Sequence, residues 1–313
     1  MPSGTSLPRA SGTQPPAVAF ALAFRGEAYG NVEYSFGPSL ERHTTTVQGH
    51  EGFLNRLEFL AAALPFAGAW AWTMRRFANH VRPDSYLLRA DWRGGEAEGV
   101  TLYCRFPREP RDDEFVMALA RAGPLCWGGP PPSVLAAALG VPGPRGVGVR
   151  VDRAGRCQVA AYFRIPASVA ALSAQTVDAV VGACGLPGTL APEIRRDVHA
   201  LYVGGTVGVV GVGPGPAGPA MTLKLNPPNV PVGRAFTFLN ARGAPAARLE
   251  AIASVVRSLR AELVNYLGVR YDACGFAGWR VYLSVAPGSF PIAGGVRLAV
   301  EHSGIPTRRL PHY

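Results

Sequence analysis

The chain has 313 residues, 48% of them hydrophobic, and a formal net charge of +10. That length suits one large domain or two ordinary ones with a full core, and the excess charge favours anionic partners. The 38 glycines and 29 prolines lack the strict period of collagen; no run of five or six basic residues marks a nucleic-acid tail, and the most apolar stretch, residues 198–213, is too short and too rich in glycine for a membrane-spanning helix.

Residues 1–16 are polar and proline-rich and read as a disordered tail that makes a poor signal peptide, so the cytoplasm is the default location. Strands are expected at 17–24 and 31–36, joined by a turn. From 51 to 64 the period changes, with Phe53, Leu57, Leu60, Ala61 and Leu64 on one helical stripe. A second short helix follows up to Asn79. Strands at 86–92 and 100–106 flank Gly94-Gly95 and form an antiparallel hairpin. Asp112, Asp113 and Glu114 then open a helix, where its dipole favours acids. Residues 124–146 read as loop with one helical turn near 134–138. The clearest hairpin is 147–151 with 157–165, around Asp152 to Gly155. Pro166 starts a helix that stops at Gly185. Strands at 198–210 and 220–226 form a fourth pair, which puts His199 in an apolar strand as a core histidine. A long helix begins near Pro245, with Leu249, Ile252, Val256, Leu259, Leu263 and Leu267 on its buried face and Gly268 as its cap. Strands at 269–273 and 279–285 form the fifth pair, and 286–313 is a basic, proline-punctuated tail packing on or near the domain.

Short turns make these pairs antiparallel, which excludes the Rossmann and TIM arrangements, where a helix follows every strand. The expected fold is α+β, a single domain over 17–285: a ten-stranded antiparallel β-barrel of five ββ pairs with helices outside, or a large open sheet. Closure removes exposed strand edges. The five cysteines, Cys104, Cys126, Cys157, Cys184 and Cys274, form no CxxC pair and read as inert thiols.

One residue stands out. Lys224 is the only lysine among 31 basic residues. It alternates with Leu223 and Leu225, so Thr222, Lys224 and Asn226 share one strand face. Two readings stand, a solvated edge or the lining of an anion site. The form recurs in Tyr103 and Arg105, Tyr162 and Arg164, and Arg280 and Tyr282, each pair placing a cation and a phenol on one face. Fixed cations in a low-dielectric cavity hold an anion strongly, and tyrosine faces favour a cation beside them. Asp91 reads as a partner for an arginine or as a residue that places an acceptor. Glu33 reads as a salt-bridge partner or as a general base. No carboxylate cluster suggests a resident metal.

The run Tyr86-Leu-Leu-Arg-Ala-Asp-Trp92 with Val100-Thr-Leu-Tyr-Cys-Arg105, and the run Val149-Arg-Val-Asp152 with Ala161-Tyr-Phe-Arg-Ile-Pro166, lie in five ββ units joined by helices. This layout resembles the αββα (ABBA) aromatic prenyltransferases of bacteria, in particular their soluble aminocoumarin and naphterpin branch, over residues 17–285. The resemblance implies a solvent-filled barrel that transfers a dimethylallyl or geranyl group from its diphosphate to an aromatic small molecule or peptide side chain. It implies Arg105, Arg164, Lys224 and Arg280 as diphosphate ligands, and Tyr103, Tyr162 and Tyr282 as the shield. It implies no obligatory cofactor, with Mg2+ carried by the substrate diphosphate if at all, no nucleic acid or membrane partner, and a monomer. A cyclase or tailoring enzyme of the same fold, or a non-catalytic barrel for an anionic hydrophobic ligand, is the alternative. Two features depart from the family: a first helix is missing, and the first strand pair carries Glu33 and Tyr34 where a cation is expected.

Overall fold

The computed structural model describes residues 32–36, 41–47, 50–63, 67–81, 83, 85–93, 96–106, 108–122, 125, 127–165, 173–201, 208–214, 220–258 and 260–285. The expected strand at 17–24 and the tails 1–16 and 286–313 lie outside them.

The strands are β1 (Val32–Phe36), β2 (Glu41–Val47), β3 (Ser85–Arg93), β4 (Glu96–Arg105), β5 (Gly146–Asp152), β6 (Cys157–Arg164), β7 (Val209–Pro214), β8 (Met221–Asn226), β9 (Pro228–Pro231), β10 (Leu263–Asp272) and β11 (Gly275–Val285). The helices are α1 (His50–Ala63), α2 (Ala67–Val81), α3 (Asp112–Ala122), α4 (Pro132–Leu139), α5 (Ala174–Ala183), α6 (Ala191–Leu201), α7 (Val232–Ala241) and α8 (Ala246–Ser258). All strand pairings are antiparallel. Neighbours run from β1 to β8, then to β10 and β11, and β11 pairs again with β1; β9 adds to β10. The result is a curled antiparallel sheet with peripheral helices.

Alternation along the strands decides which face the helices cover. Val147, Val149 and Val151 of β5, Val159, Ala161 and Phe163 of β6, and Leu267, Val269 and Tyr271 of β10 are all buried in the core. The same core takes Phe53 and Leu57 from α1, Phe77 from α2, Phe115 from α3, Ile194 from α6 and Ile252 from α8. The apolar face therefore points outward to the helices, and the more polar residues between these positions face inward.

Polar ties fix some helices in register. Tyr86 of β3 stacks on Phe53 of α1 with ring centroids 4.3 Å apart. Its hydroxyl lies 2.7 Å from His50 Nδ1, and His50 Nε2 lies 2.7 Å from Asn79 Oδ1 on α2. On the opposite side, Tyr271 of β10 donates to Asp197 of α6 at 2.6 Å, and Arg242 after α7 pairs with both Asp197 and Glu193.

Several expectations are corrected. The sheet has eleven strands among the described residues: five sequence-adjacent antiparallel pairs, β1–β2, β3–β4, β5–β6, β7–β8 and β10–β11, with β9 added on β10. Strand β1 pairs with β2, a stretch to which the sequence reading assigns no element. The fourth pair starts later: residues to Leu201 belong to α6, β7 spans only Val209–Pro214, and His199 is exposed on that helix rather than buried in a strand. The long helix ends at Ser258; Arg260, at φ 50°, turns the chain, and Leu263 and Leu267 lie in β10. Gly268 is a strand residue, not a helix cap. The hairpins β3–β4 and β5–β6 stand as expected. In the latter, Asp152 accepts from the Ala154 and Arg156 amides and Gly155 takes φ 78°.

Burial, and secondarily Cys104, pushes the Tyr86 hydroxyl up from 10.0 to about 12. The unfolded chain ionises there near pH 10 while the folded chain keeps the proton. This contribution to stability is complete below pH 10 and is lost as pH rises toward about 12. Thermal unfolding midpoints measured from pH 9 to 12 should fall across that window, and less steeply in Tyr86→Phe.

Candidate functional site

The concave face holds a cavity of about 380 Å³. Five cations line it: Arg89 from β3, Arg150 from β5, Lys224 from β8, Arg270 from β10 and Arg280 from β11. No Asp or Glu lines it among the described residues. Register explains the convergence, because residues directly opposite in an antiparallel pair share a face. One row runs Arg89, Thr101, Arg150, Gln158 across β3 to β6. Another runs Tyr162, Gly211, Lys224, Arg270 across β6, β7, β8 and β10. Lys224 and Arg270 thus stand directly opposite, an arrangement of like charges that is unfavourable by itself.

The two ends of the cavity differ. Around β3 to β5 the arginines are locked. Asp91, without exposed surface, accepts from Arg150 Nε at 2.9 Å and sits 3.1 Å from Arg89 Nε, an ion pair not aligned as a hydrogen bond. Arg89 also donates to the Tyr103 hydroxyl and, at 2.8 Å, to Thr101 Oγ1. Burial works against the Arg89 charge, but Asp91 and then the neighbouring tyrosine oxygens outweigh it and raise its pKa. At the other end Lys224 Nζ donates to the Tyr282 hydroxyl at 2.7 Å and lies 5.3 Å from that ring's centroid. Arg270 donates to the Ala277 carbonyl at 3.0 Å, and Arg280 is 7% exposed.

Between these ends lie Tyr103 and Tyr162, edge to face with centroids 5.3 Å apart. The Tyr162 hydroxyl donates to that of Tyr103 at 3.5 Å. Burial, then the Tyr103 oxygen, raises the Tyr162 pKa well above its usual value. Glycines make room for these rings. A Cβ at Gly148 would come within 2.9 Å of Tyr103 and 3.0 Å of Tyr162, and one at Gly211 within 2.9 Å of Tyr162. One at Gly268 would meet Asn226 at 3.0 Å and Tyr282 at 3.1 Å.

The expected site residues fall into distinct places. Lys224, Arg280, Tyr103 and Tyr162 line the cavity, and Tyr282 bonds to Lys224 at its edge. Arg105 and Arg164 follow the inward alternation but are exposed and do not line the cavity. Each ends an even-numbered strand, so both stand at the same rim of the sheet. The expectation that these two share one cavity with Lys224 and Arg280 is corrected. Asp91 is sealed behind Arg89 and Arg150, so of its two readings the arginine partner stands and direct contact with an acceptor does not. Glu33 lies on β1 opposite Ser284 and Thr44, and Thr44 lies opposite Arg89, one register row; its side chain lies outside the described residues.

Arg150 and Arg270 carry cavity charge that the sequence reading leaves unassigned, and Arg89 appears there only within the run Tyr86–Trp92. A signal exists for all three. Arg89-Ala-Asp91, Arg150-Val-Asp152 and Arg270-Tyr-Asp272 repeat an Arg-x-Asp pattern near the end of the first strand of a hairpin. Two of them extend to Gly-Val-Arg-x-Asp, with Gly148 and Gly268 the inward glycines beneath the tyrosines.

Among the described residues no three His, Cys, Asp or Glu side chains gather as metal ligands, and no helix is long and apolar enough to cross a membrane.

No protein-family model and no curated protein sequence matches the chain. Solved structures do. A 5-dimethylallyltryptophan synthase from Streptomyces coelicolor aligns at TM-score 0.54 and 16% identity, over 81% of this chain and 80% of its own. AnaPT from Neosartorya fischeri aligns at 0.57 and 11%, over 82% and 78%. A 6-dimethylallyltryptophan synthase from Micromonospora olivasterospora, solved in complex with DMASPP and Trp, aligns at 0.51 and 13%, over 84% and 82%. Identities this low establish a shared fold, one that extends over most of the chain.

Gly148→Ala should force both tyrosine rings off the wall and cost about 1–3 kcal/mol, the usual range for overpacking. Gly182→Ala, on α5 with nothing within 4 Å of the new methyl, should be neutral or stabilising by up to about 1 kcal/mol. Urea unfolding of the two variants checks the contrast.

Proposed function

We propose that the chain is an aromatic prenyltransferase, moving an allylic isoprenyl group from its diphosphate to an aromatic small molecule or aromatic side chain. The observation that carries this reading is the cavity wall, where five cations meet a tyrosine pair. The shared fold with synthases named for dimethylallyltryptophan supports it. A volume of about 380 Å³ is near the lower end of ligand cavities, roughly 300–1,000 Å³. It favours dimethylallyl over geranyl as the donor, and a single- or double-ring acceptor such as an indole.

In this reading Lys224, Arg270 and Arg280 take the diphosphate. Their repulsion relaxes as the anion binds, and their attraction grows as the C–O bond breaks and its electron pair leaves with the diphosphate. Tyr103, Tyr162 and Tyr282 present ring faces to the allylic cation without attacking it. The arene supplies the pair for the new C–C bond, and loss of the proton from that carbon restores aromaticity. Glu33 is assigned as the acceptor of that proton. Arg105 and Arg164, at the rim, attract the donor from solvent. With no carboxylate in the lining among the described residues, any Mg2+ would be held by diphosphate oxygens, so donor turnover is expected to persist in EDTA.

The test is release of pyrophosphate from dimethylallyl diphosphate with indole or tryptophan as acceptor. Lys224→Ala should lose at least 100-fold in kcat/KM, about 2.7 kcal/mol of transition-state stabilisation, with its circular dichroism unchanged. Donor binding without turnover toward any indole or phenol would instead make the chain a carrier, and failure to bind the donor at millimolar concentration would end both readings.

A further inference from the structure

The hairpin β5–β6 recurs in β10–β11. Gly148, Arg150, Asp152, Gly155 and Tyr162 reappear, at the same spacing, as Gly268, Arg270, Asp272, Gly275 and Tyr282. Asp152 and Asp272 each accept from a turn amide, that of Ala154 and that of Cys274. The pairing differs at one place. In β5–β6, Arg150 faces Gln158 and Val151 faces Cys157 without a shift. In β10–β11, Arg270 faces Gly278 but Tyr271 faces Phe276, so Ala277 is an extra residue, a β-bulge. Consecutive strand residues point to opposite faces, yet Ala277 and Gly278 both line the cavity. The Ala277 carbonyl accepts from Arg270 Nη2 at 3.0 Å, and Gly278 takes φ 144°, where a side chain would be strained.

The two hairpins also differ on the outer face. Where β5 has Val151, β10 has Tyr271, which has no exposed surface. Its hydroxyl donates to Asp197 of α6 at 2.6 Å. Asp197 is itself buried and pairs with Arg242, which also holds Glu193 at 2.6 Å. The Arg242 guanidinium lies 4.9 Å from the Phe276 ring centroid, and that ring stands edge to face with Tyr271 at 6.0 Å. The two residues that meet beside the bulge, Tyr271 on β10 and Phe276 on β11, are thus both held from outside by one ion-paired cluster.

We propose that Asp197 is a positioning residue for the cavity: through Tyr271 it holds the β10–β11 bulge, and the bulge sets the Arg270 guanidinium against Ala277. This rests on the diphosphate-binding reading above, in which Arg270 is a ligand. A guanidinium reads phosphate through a fork of donors whose direction matters as much as its charge. Turning the strand at Tyr271 therefore costs affinity while every cation stays in place. Helix α6 contributes in this way to a cavity that none of its own side chains lines.

Isothermal titration with inorganic pyrophosphate on the full chain, run as a double-mutant cycle, tests this. Tyr271→Phe keeps the ring and removes the hydrogen bond; it should weaken pyrophosphate about tenfold, within the range of coupling between residues of one network. In an Arg270→Gln background the same substitution should change the affinity by less than about twofold, the tolerance for independent sites. Its effect on the thermal unfolding midpoint should be the same in both backgrounds, which separates positioning from mere loosening of the fold. Equal losses of affinity with and without Arg270 would overturn the proposal, as would unchanged affinity in folded Tyr271→Phe; both leave the diphosphate reading intact. Should Tyr271→Phe not fold, Asp197→Asn enters the same cycle with the same expectations. A parent chain that binds no pyrophosphate ends the diphosphate reading. In that case, or where Arg270→Gln binds too weakly to measure, the crystal structure of the folded variant decides: loss of the contact between Arg270 Nη2 and the Ala277 carbonyl supports the positioning role, and an unmoved Arg270 overturns it.

Discussion

Like charges confined to the concave side of a curled sheet repel one another strongly, because the wall behind them is apolar and screens poorly. Lys224 and Arg270 face each other across β8 and β10, and Arg280 follows on β11. The outer face cannot take these side chains, since α1, α2, α3, α6 and α8 bury it with Phe53, Phe77, Phe115, Ile194 and Ile252. The sheet therefore turns its apolar residues outward and its polar ones inward. What remains is an interior that gathers five cations, two of them paired with the buried carboxylate of Asp91.

The tyrosines depend on the same backbone. Tyr103 and Tyr162 pack edge to face over Gly148 and Gly211, their register partners on β5 and β7, which offer no Cβ. The wall is thus thin where aromatic rings lie on it and charged beside them. A cation next to a neutral phenol suits chemistry in which negative charge leaves on one side and positive charge is sheltered on the other.

Much of this was legible in the sequence wherever a turn and an alternation agreed. Strands β5 and β6 alternate cleanly around Asp152 to Gly155, and the acids of α3 mark its first turn. Arg280, Tyr103 and Tyr162 stand out because a cation and a phenol recur two residues apart, and Lys224 because it is the only lysine and alternates with Leu223 and Leu225. Other parts were hidden for physical reasons. Strand β2, Glu-Arg-His-Thr-Thr-Thr-Val, has little apolar content to reveal a period. In β10, Leu263 and Leu267 continue the four-residue spacing of α8 by coincidence, so helix and strand are confused until Arg260 breaks the chain. Arg105 and Arg164 have the right alternation, yet position along a strand decides between cavity and rim, and alternation is blind to that. Arg150 and Arg270 were overlooked because their neighbours on the same face are glycines, not tyrosines.

Across 11–16% identity to the solved structures the fold persists, while the distribution of charge on its inner wall is the property of this chain. The central claim is that the β8–β10–β11 cations take a diphosphate. A crystal structure of the chain with inorganic pyrophosphate tests it most directly. The account predicts phosphate oxygens within hydrogen-bond distance of Lys224 Nζ and the Arg270 and Arg280 guanidiniums. Pyrophosphate found only at the exposed rim beside Arg105 and Arg164, with the cavity wall uncontacted, would contradict it.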